Sequence, residues 1–133
     1  MFNAIAIAAA AAFVITALAI SLSLVSHDAP RRNAWMFPAI LSGAFATFSI
    51  TAVIQEGPMG FWTEHTRNLW GNQIWFDLLL AAGIAWTLLV PRARELGMRP
   101  LPWLVAVICT GSIGLCAMWA RVLYISEARR EVR

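Results

Sequence analysis

Four long apolar runs, separated by short charged stretches, constrain this chain more than any other feature of it. They occupy residues 2–26, 33–55, 68–90 and 100–120, and Asp77 is the only charged side chain inside any of them. Roughly 20 residues at about 1.5 Å rise cross the hydrocarbon of a bilayer, and lipid obliges each backbone amide to bond within its own segment. The expectation is an all-α integral membrane protein. Four transmembrane helices, at about residues 3–26, 34–55, 70–90 and 101–125, would form one compact antiparallel bundle and a single domain over residues 1–133. A β-barrel would need short strands of alternating polarity, whereas residues 78–90 are apolar all round.

Composition agrees, because 60% apolar and 13% charged residues invert the balance of a soluble domain. The first run reads as a retained helix rather than a secretory signal. No basic residue precedes Phe13, the run exceeds the usual signal length, and His27-Asp28-Ala29-Pro30 is a poor small-residue cleavage site. Pro91, Gly97 and Pro100 punctuate a basic loop, so the third and fourth helices are expected as an antiparallel hairpin. The second connection carries Glu56, Glu64, His65 and Arg67 among aromatic residues and reads as an interfacial segment.

Trp35, Trp62, Trp70, Trp75 and Trp103 fall near the expected helix ends, where amphipathic indoles anchor a protein at the headgroup level. Trp86 and Trp119 sit deeper. An antiparallel bundle puts Arg31, Arg32, Arg92, Arg94 and Arg99 on one side and Arg67, Arg129, Arg130 and Arg133 on the other. That near-even count leaves orientation open: the acidic second connection tips it toward both termini outside, the basic tail argues the reverse, and dual insertion as an antiparallel dimer is compatible. The net charge of +3 lies at helix ends rather than on one basic face, so membrane lipids are the expected partners and nucleic acid is not. Ten arginines without a lysine fit a multi-pass protein of a bacterial cytoplasmic (inner) membrane.

Small residues at spacing four would let helices approach closely: Ser42 with Ala46, Ala81 with Ala85, and Ser112 with Cys116 and Ala120. Cys109 and Cys116 stand two helical turns apart, roughly 10 Å, too far for a disulfide within one helix. His27 and His65 lie in different loops, so neither a metal site nor a cofactor is expected. The most informative side chains are ionisable groups at the membrane edge, where burying a charge costs about 2.5–3.5 kcal/mol. In the hairpin geometry Asp77 and Arg121 share a side with Glu56. They could form the mouth of a polar cavity or an ion pair, with Asn72 and Gln73 adding hydrogen bonds. The favoured alternative is structural, with Arg121 snorkelling and Asp77 capping or pairing.

Asn72, Asp77 and Trp86, the loop ending Leu96-Gly97-Met98-Arg99, Trp103 and Leu123-Tyr124 together make a pattern. Over roughly residues 48–128 it resembles the uncharacterised family of small bacterial membrane proteins known as domain of unknown function 2834. Pro91, Ala120 and Ser126 depart from that pattern, standing where an acidic residue, a Pro and an Arg are expected. The resemblance implies a membrane fold and a hairpin of the last two helices, and it carries no catalytic residue.

Three function classes remain. The first is an accessory or scaffold subunit, or interaction partner, within a larger membrane complex. The second is an oligomeric transporter or channel for a small solute or ion. The third, an enzyme acting on a lipid, quinone or carotenoid, is least favoured, since no nucleophile and base, metal set or cofactor motif stands out.

Overall fold

A computed structural model describes residues 2–23 and 33–131, and it is all-helical. Six helices follow one another: α1 (Phe2–Ser23), α2 (Met36–Glu56), α3 (Gly60–Thr66), α4 (Leu69–Glu95), α5 (Pro100–Thr110) and α6 (Ser112–Glu131). α2 and α4 are long and apolar enough to cross a membrane; Asn3–Leu18 and α5 are shorter apolar helices. The chain divides into two units, Met1–Arg31 and Arg32–Arg133. In the first, α1 is apolar throughout, and the Ser21 hydroxyl donates back to the Ala17 carbonyl at 2.8 Å, spending its polarity inside the helix. The end of the first expected helix and the loop with His27, Arg31 and Arg32 lie outside the described residues, as does Arg133.

The second unit is organised around α6, which packs on α2, α4 and α5. The fourth expected helix, 101–125, is in fact two helices separated by Gly111. Gly111 has φ 59 and ψ −124, backbone angles that a Cβ forbids and glycine permits. The chain reverses there, and α5 folds back on α6 so closely that a Cβ on Gly114 would lie 2.8 Å from the Ala106 carbonyl carbon. At 11 residues, about 16 Å, α5 is too short to cross a bilayer by itself.

That reversal sets the direction of α6. Its last turns meet the beginning of α2, with Asn33 and Ala34 at Glu127 and Trp35 edge-on to Tyr124, while Ser42 reaches Ile113. α2 and α6 are therefore antiparallel. Against α4 the order is the opposite: Leu78 and Ala81 face Ser112 across a shared groove that continues to Arg92 and Trp119, and Arg129 reaches Glu95 and Leu96. α4 and α6 run parallel, with α5 as the short return between them. The expected all-antiparallel arrangement of the last helices fails because a turn at Gly111 adds one more reversal.

α4 also outruns its expected end at residue 90, continuing through Pro91 to Glu95. A proline inside a helix costs about 3 kcal/mol or more, through its missing N–H and its clash with the preceding turn. What helps to offset that cost begins two residues further on. Ala93 is fully buried against Met118 and Val122, with Trp86, Leu89, Val90, Leu96, Met98 and Trp103 packed around them. The helix then closes with Met98 N–H donating to the Ala93 carbonyl at 2.8 Å and Gly97 N–H to Arg94 at 2.9 Å. Gly97 takes φ 76, the left-handed position such a terminus requires. Leu96-Gly97-Met98 is thus a helix stop whose Met packs back on the core.

Beyond this cluster the large apolar side chains point outward. Ile54 is 78% exposed, Leu88 68%, and Leu101 and Ile108 each 75%.

Gly114→Val is expected to separate α5 from α6, and Gly97→Ala to cost about 1–2 kcal/mol for its left-handed backbone. Gly43→Ala, inside α2 where a Cβ meets nothing within 4 Å, should raise stability by roughly 0.5–1 kcal/mol, because alanine is the better helix former. Thermal unfolding followed by circular dichroism checks all three, the first two lowering Tm.

Candidate functional site

Charged side chains gather at the two ends of the second unit, and α6 decides which end each joins. At the end where α2 stops and α4 begins, α3 lies across the start of α4. Asn68 caps α4 by accepting from Gly71 N–H at 2.8 Å, and Gly71 sits against the Glu64 and His65 carbonyls with no room for a Cβ. Glu64 and Arg67 pair at 3.3 Å, both largely exposed, which adds little stability. Trp75 is held between Phe61 and His65 at ring separations of 6.2 and 5.1 Å.

Of the five polar residues singled out from the sequence, Glu56, Asn72 and Gln73 stand at this end, and Asp77 lies about two turns into α4, next to the Leu78 that faces Ser112. Asp77 and Gln73 are exposed on α4, and half-buried Asn72 donates from Nδ2 to the Asn68 carbonyl at 3.2 Å. Glu56, exposed at the end of α2, lines a cavity of about 230 Å³ with Phe48, Phe61 and Glu64. Arg121 is absent from this group. The expected Asp77–Arg121 contact required α6 to end beside the start of α4. Running parallel to α4 instead, α6 carries Arg121 toward the other end. Among the described residues Glu64–Arg67 is the only ion pair.

At the opposite end two residues of α6 hold the backbone of other segments: one binds the lead-in to α2, the other the C-terminus of α4. Glu127 accepts from Asn33 N–H at 3.1 Å and Ala34 N–H at 2.7 Å, a carboxylate placed on the amides that lead into α2. Arg129 donates to the carbonyls of Glu95 at 3.3 Å and Leu96 at 2.9 Å, a cation on the C-terminus of α4. Sequence reasoning did not single out Glu127. Its only signal was an acid within a basic tail, and its partners are 93 and 94 residues away.

Arg121 lies just inside this end. Its guanidinium carbon stands 5.7 Å from the centre of the Tyr124 ring, a cation–π distance. Trp35, Ala39 and Ser42 from α2, Trp103 from α5, and Ala117 and Ala120 from α6 complete with it a cavity of about 440 Å³. On the other side of α6, Ala81, Ala82 and Ala85 face Ser112 and Cys116 along a groove of about 610 Å³, with Arg92 and Trp119 at one end.

The small residues expected at helix contacts are placed accordingly. Ser42 donates to the Ile113 carbonyl at 3.0 Å between α2 and α6, half-buried Ala46 lies one turn further along α2, and Ala120 is buried. Trp62, Trp70 and Trp75 belong to the α3 end, and Trp35 and Trp103 to the other. Among the described residues no three His, Cys, Asp or Glu side chains gather to hold a metal ion; His27 lies outside them.

Compared with protein-family models, with curated proteins and with solved structures, the chain has no match.

Glu127→Gln keeps the shape and removes the charge on two amides. We expect it to lower stability by about 1 kcal/mol. Asp77→Asn, on an exposed side chain without a described ion-pair partner, should change Tm by less than its scatter. A measured loss of stability in Asp77→Asn would reveal a partner for that carboxylate.

Proposed function

We propose that the chain is an integral, multi-pass protein of a bacterial cytoplasmic (inner) membrane and acts there as an accessory or scaffold subunit of a larger membrane complex. The carrying observation is the outward-facing apolar surface of α2, α4 and α5, against a small core cluster built on Ala93, Met118 and Val122. Water would penalise such a surface at about 25 cal/mol per Å², whereas lipid or a neighbouring helix accepts it. The groove between α4 and α6 supports the subunit reading. Its small side chains allow close backbone approach, which is how helices recognise one another in lipid. Resemblance to the uncharacterised membrane family over residues 48–128 is compatible with this reading, and the turn that carries it is the α4 terminus described above.

The direction of α6 supports an orientation. Among the described residues Arg92, Arg94, Arg99, Arg121, Arg129 and Arg130 belong to one end and Arg67 to the other, unlike the near-even count expected of an antiparallel bundle. The basic end is assigned to the cytoplasm and α3 to the opposite face. A transporter using Asp77, Glu56 and Arg121 within one subunit is disfavoured, because Arg121 and the two acids lie toward opposite ends.

Purification of the tagged chain in mild detergent, followed by mass spectrometry, should return a stoichiometric partner protein; recovery of this chain alone would remove the subunit reading. In a cysteine-free background, Thr63→Cys should react with a membrane-impermeant maleimide in whole cells and Arg99→Cys should not. The reverse pattern would invert the assignment.

A further inference from the structure

The cavity between α2, α5 and α6 brings together groups that the subunit reading does not use. Arg121 provides a cation, and Glu127, the nearest acid along the same helix, has both oxygens committed to the amides of Asn33 and Ala34. Among the described residues no carboxylate pairs with Arg121. Trp35, Trp103 and Tyr124 line the same cavity, and each carries one hydrogen-bond donor on an apolar ring. Ala39, Ala117, Ala120 and Ser42 complete the lining. The cavity thus combines one cation and several donors with apolar surface.

The level of the cavity matters as much as its lining. Trp35 immediately precedes α2, one of the two long apolar helices, and packs edge-on to Tyr124 with ring centres 5.6 Å apart. In the membrane reading, on which this inference rests, that level is the headgroup boundary of the basic, cytoplasmic side. A volume of about 440 Å³ lies within the range of small-molecule sites, about 300–1,000 Å³.

We propose that this cavity binds an anionic phospholipid, its phosphate on Arg121 between Trp35, Trp103 and Tyr124 and one acyl chain along Ala39, Ala117 and Ala120. Guanidinium suits phosphate because it offers paired donors to two oxygens, and the aromatic rings cover the glycerol region while keeping their polar edges toward the headgroup. A lipid seated there would bridge α2, α5 and α6, and it would touch Trp103, which also packs against the core cluster of Ala93, Met118 and Val122.

The test is native mass spectrometry of the full chain in mild detergent, offered phosphatidylglycerol or phosphatidylcholine with identical acyl chains. About tenfold preferential retention of phosphatidylglycerol is expected, the equivalent of one charge-assisted contact. Arg121→Gln should reduce the preference to parity, Arg121→Lys should retain part of it, and Trp103→Ala should weaken retention of both lipids. Arg130→Gln, which changes the charge of the same end outside the cavity, should leave the preference intact. Preference that survives Arg121→Gln, or that falls equally with Arg130→Gln, would overturn the site in favour of diffuse attraction. If Arg121→Gln does not fold, Arg121→Lys and Trp103→Ala decide it, an undiminished preference and retention in both overturning the proposal. Displacement by excess orthophosphate would assign the cavity to a free anion rather than a lipid and would also overturn it. Alkaline carbonate extraction separates the two readings. A chain stripped from membranes ends the membrane reading, whereas a resistant chain without headgroup preference loses only this site.

Discussion

The arrangement of the second unit depends on a reversal of direction at Gly111. Without a Cβ at Gly111 the chain can take backbone angles closed to other residues, and without one at Gly114 the backbone of α6 can lie against Ala106. Both features are needed, because a turn alone would leave α5 splayed and a close contact alone would have no turn to create it. Once they are in place α6 must travel in the same direction as α4, and each of its side chains meets a partner chosen by that direction. Met118 and Val122 reach Ala93, Tyr124 reaches Trp35, Glu127 reaches the segment leading into α2, and Arg129 reaches the terminus of α4.

Terminating helices is the harder problem in so apolar a chain, since the last amides and carbonyls of a helix have no internal partner. α4 solves it with a glycine in the left-handed region, two backbone bonds and the Arg129 guanidinium. The segment leading into α2 uses Glu127 in the complementary way. Both side chains belong to one turn of α6, so a single short polar segment organises the basic end. Helix 4 can therefore run past Pro91: the hydrogen bond lost there is offset by burying Ala93 and by a well-closed terminus.

The same geometry redistributes charge. Arg129 and Arg130 join Arg92, Arg94 and Arg99, the acids Glu56 and Glu64 remain at the α3 end, and Arg121 is left beside aromatic rings rather than beside Asp77. Among the described residues of the second unit a polarity of charge results. The cavity at Arg121 and the groove between α4 and α6 lie on different faces of α6, so a lipid on one and a partner helix on the other would not compete.

Much was legible in the residues themselves. Helical structure, the two long apolar segments, the tryptophans near helix ends and the polar character of Asp77 and Arg121 follow from local sequence, because length, hydropathy and amphipathic side chains act over a few neighbouring residues. Leu96-Gly97-Met98 likewise announces a helix stop. The division of the last apolar run was not legible, since residues 100–120 are as uniformly apolar as a continuous span and a glycine within such a run commonly stays helical. Nor were the contacts of Glu127 and Arg129, whose partners are separated from them by 93 and 33 residues or more in the chain. Sequence alone therefore determined that these segments are helices and where their polar groups lie. Only the tertiary structure decided which way α6 runs, because that depends on one backbone conformation at Gly111 and on a close packing contact at Gly114, neither of which alters composition or periodicity.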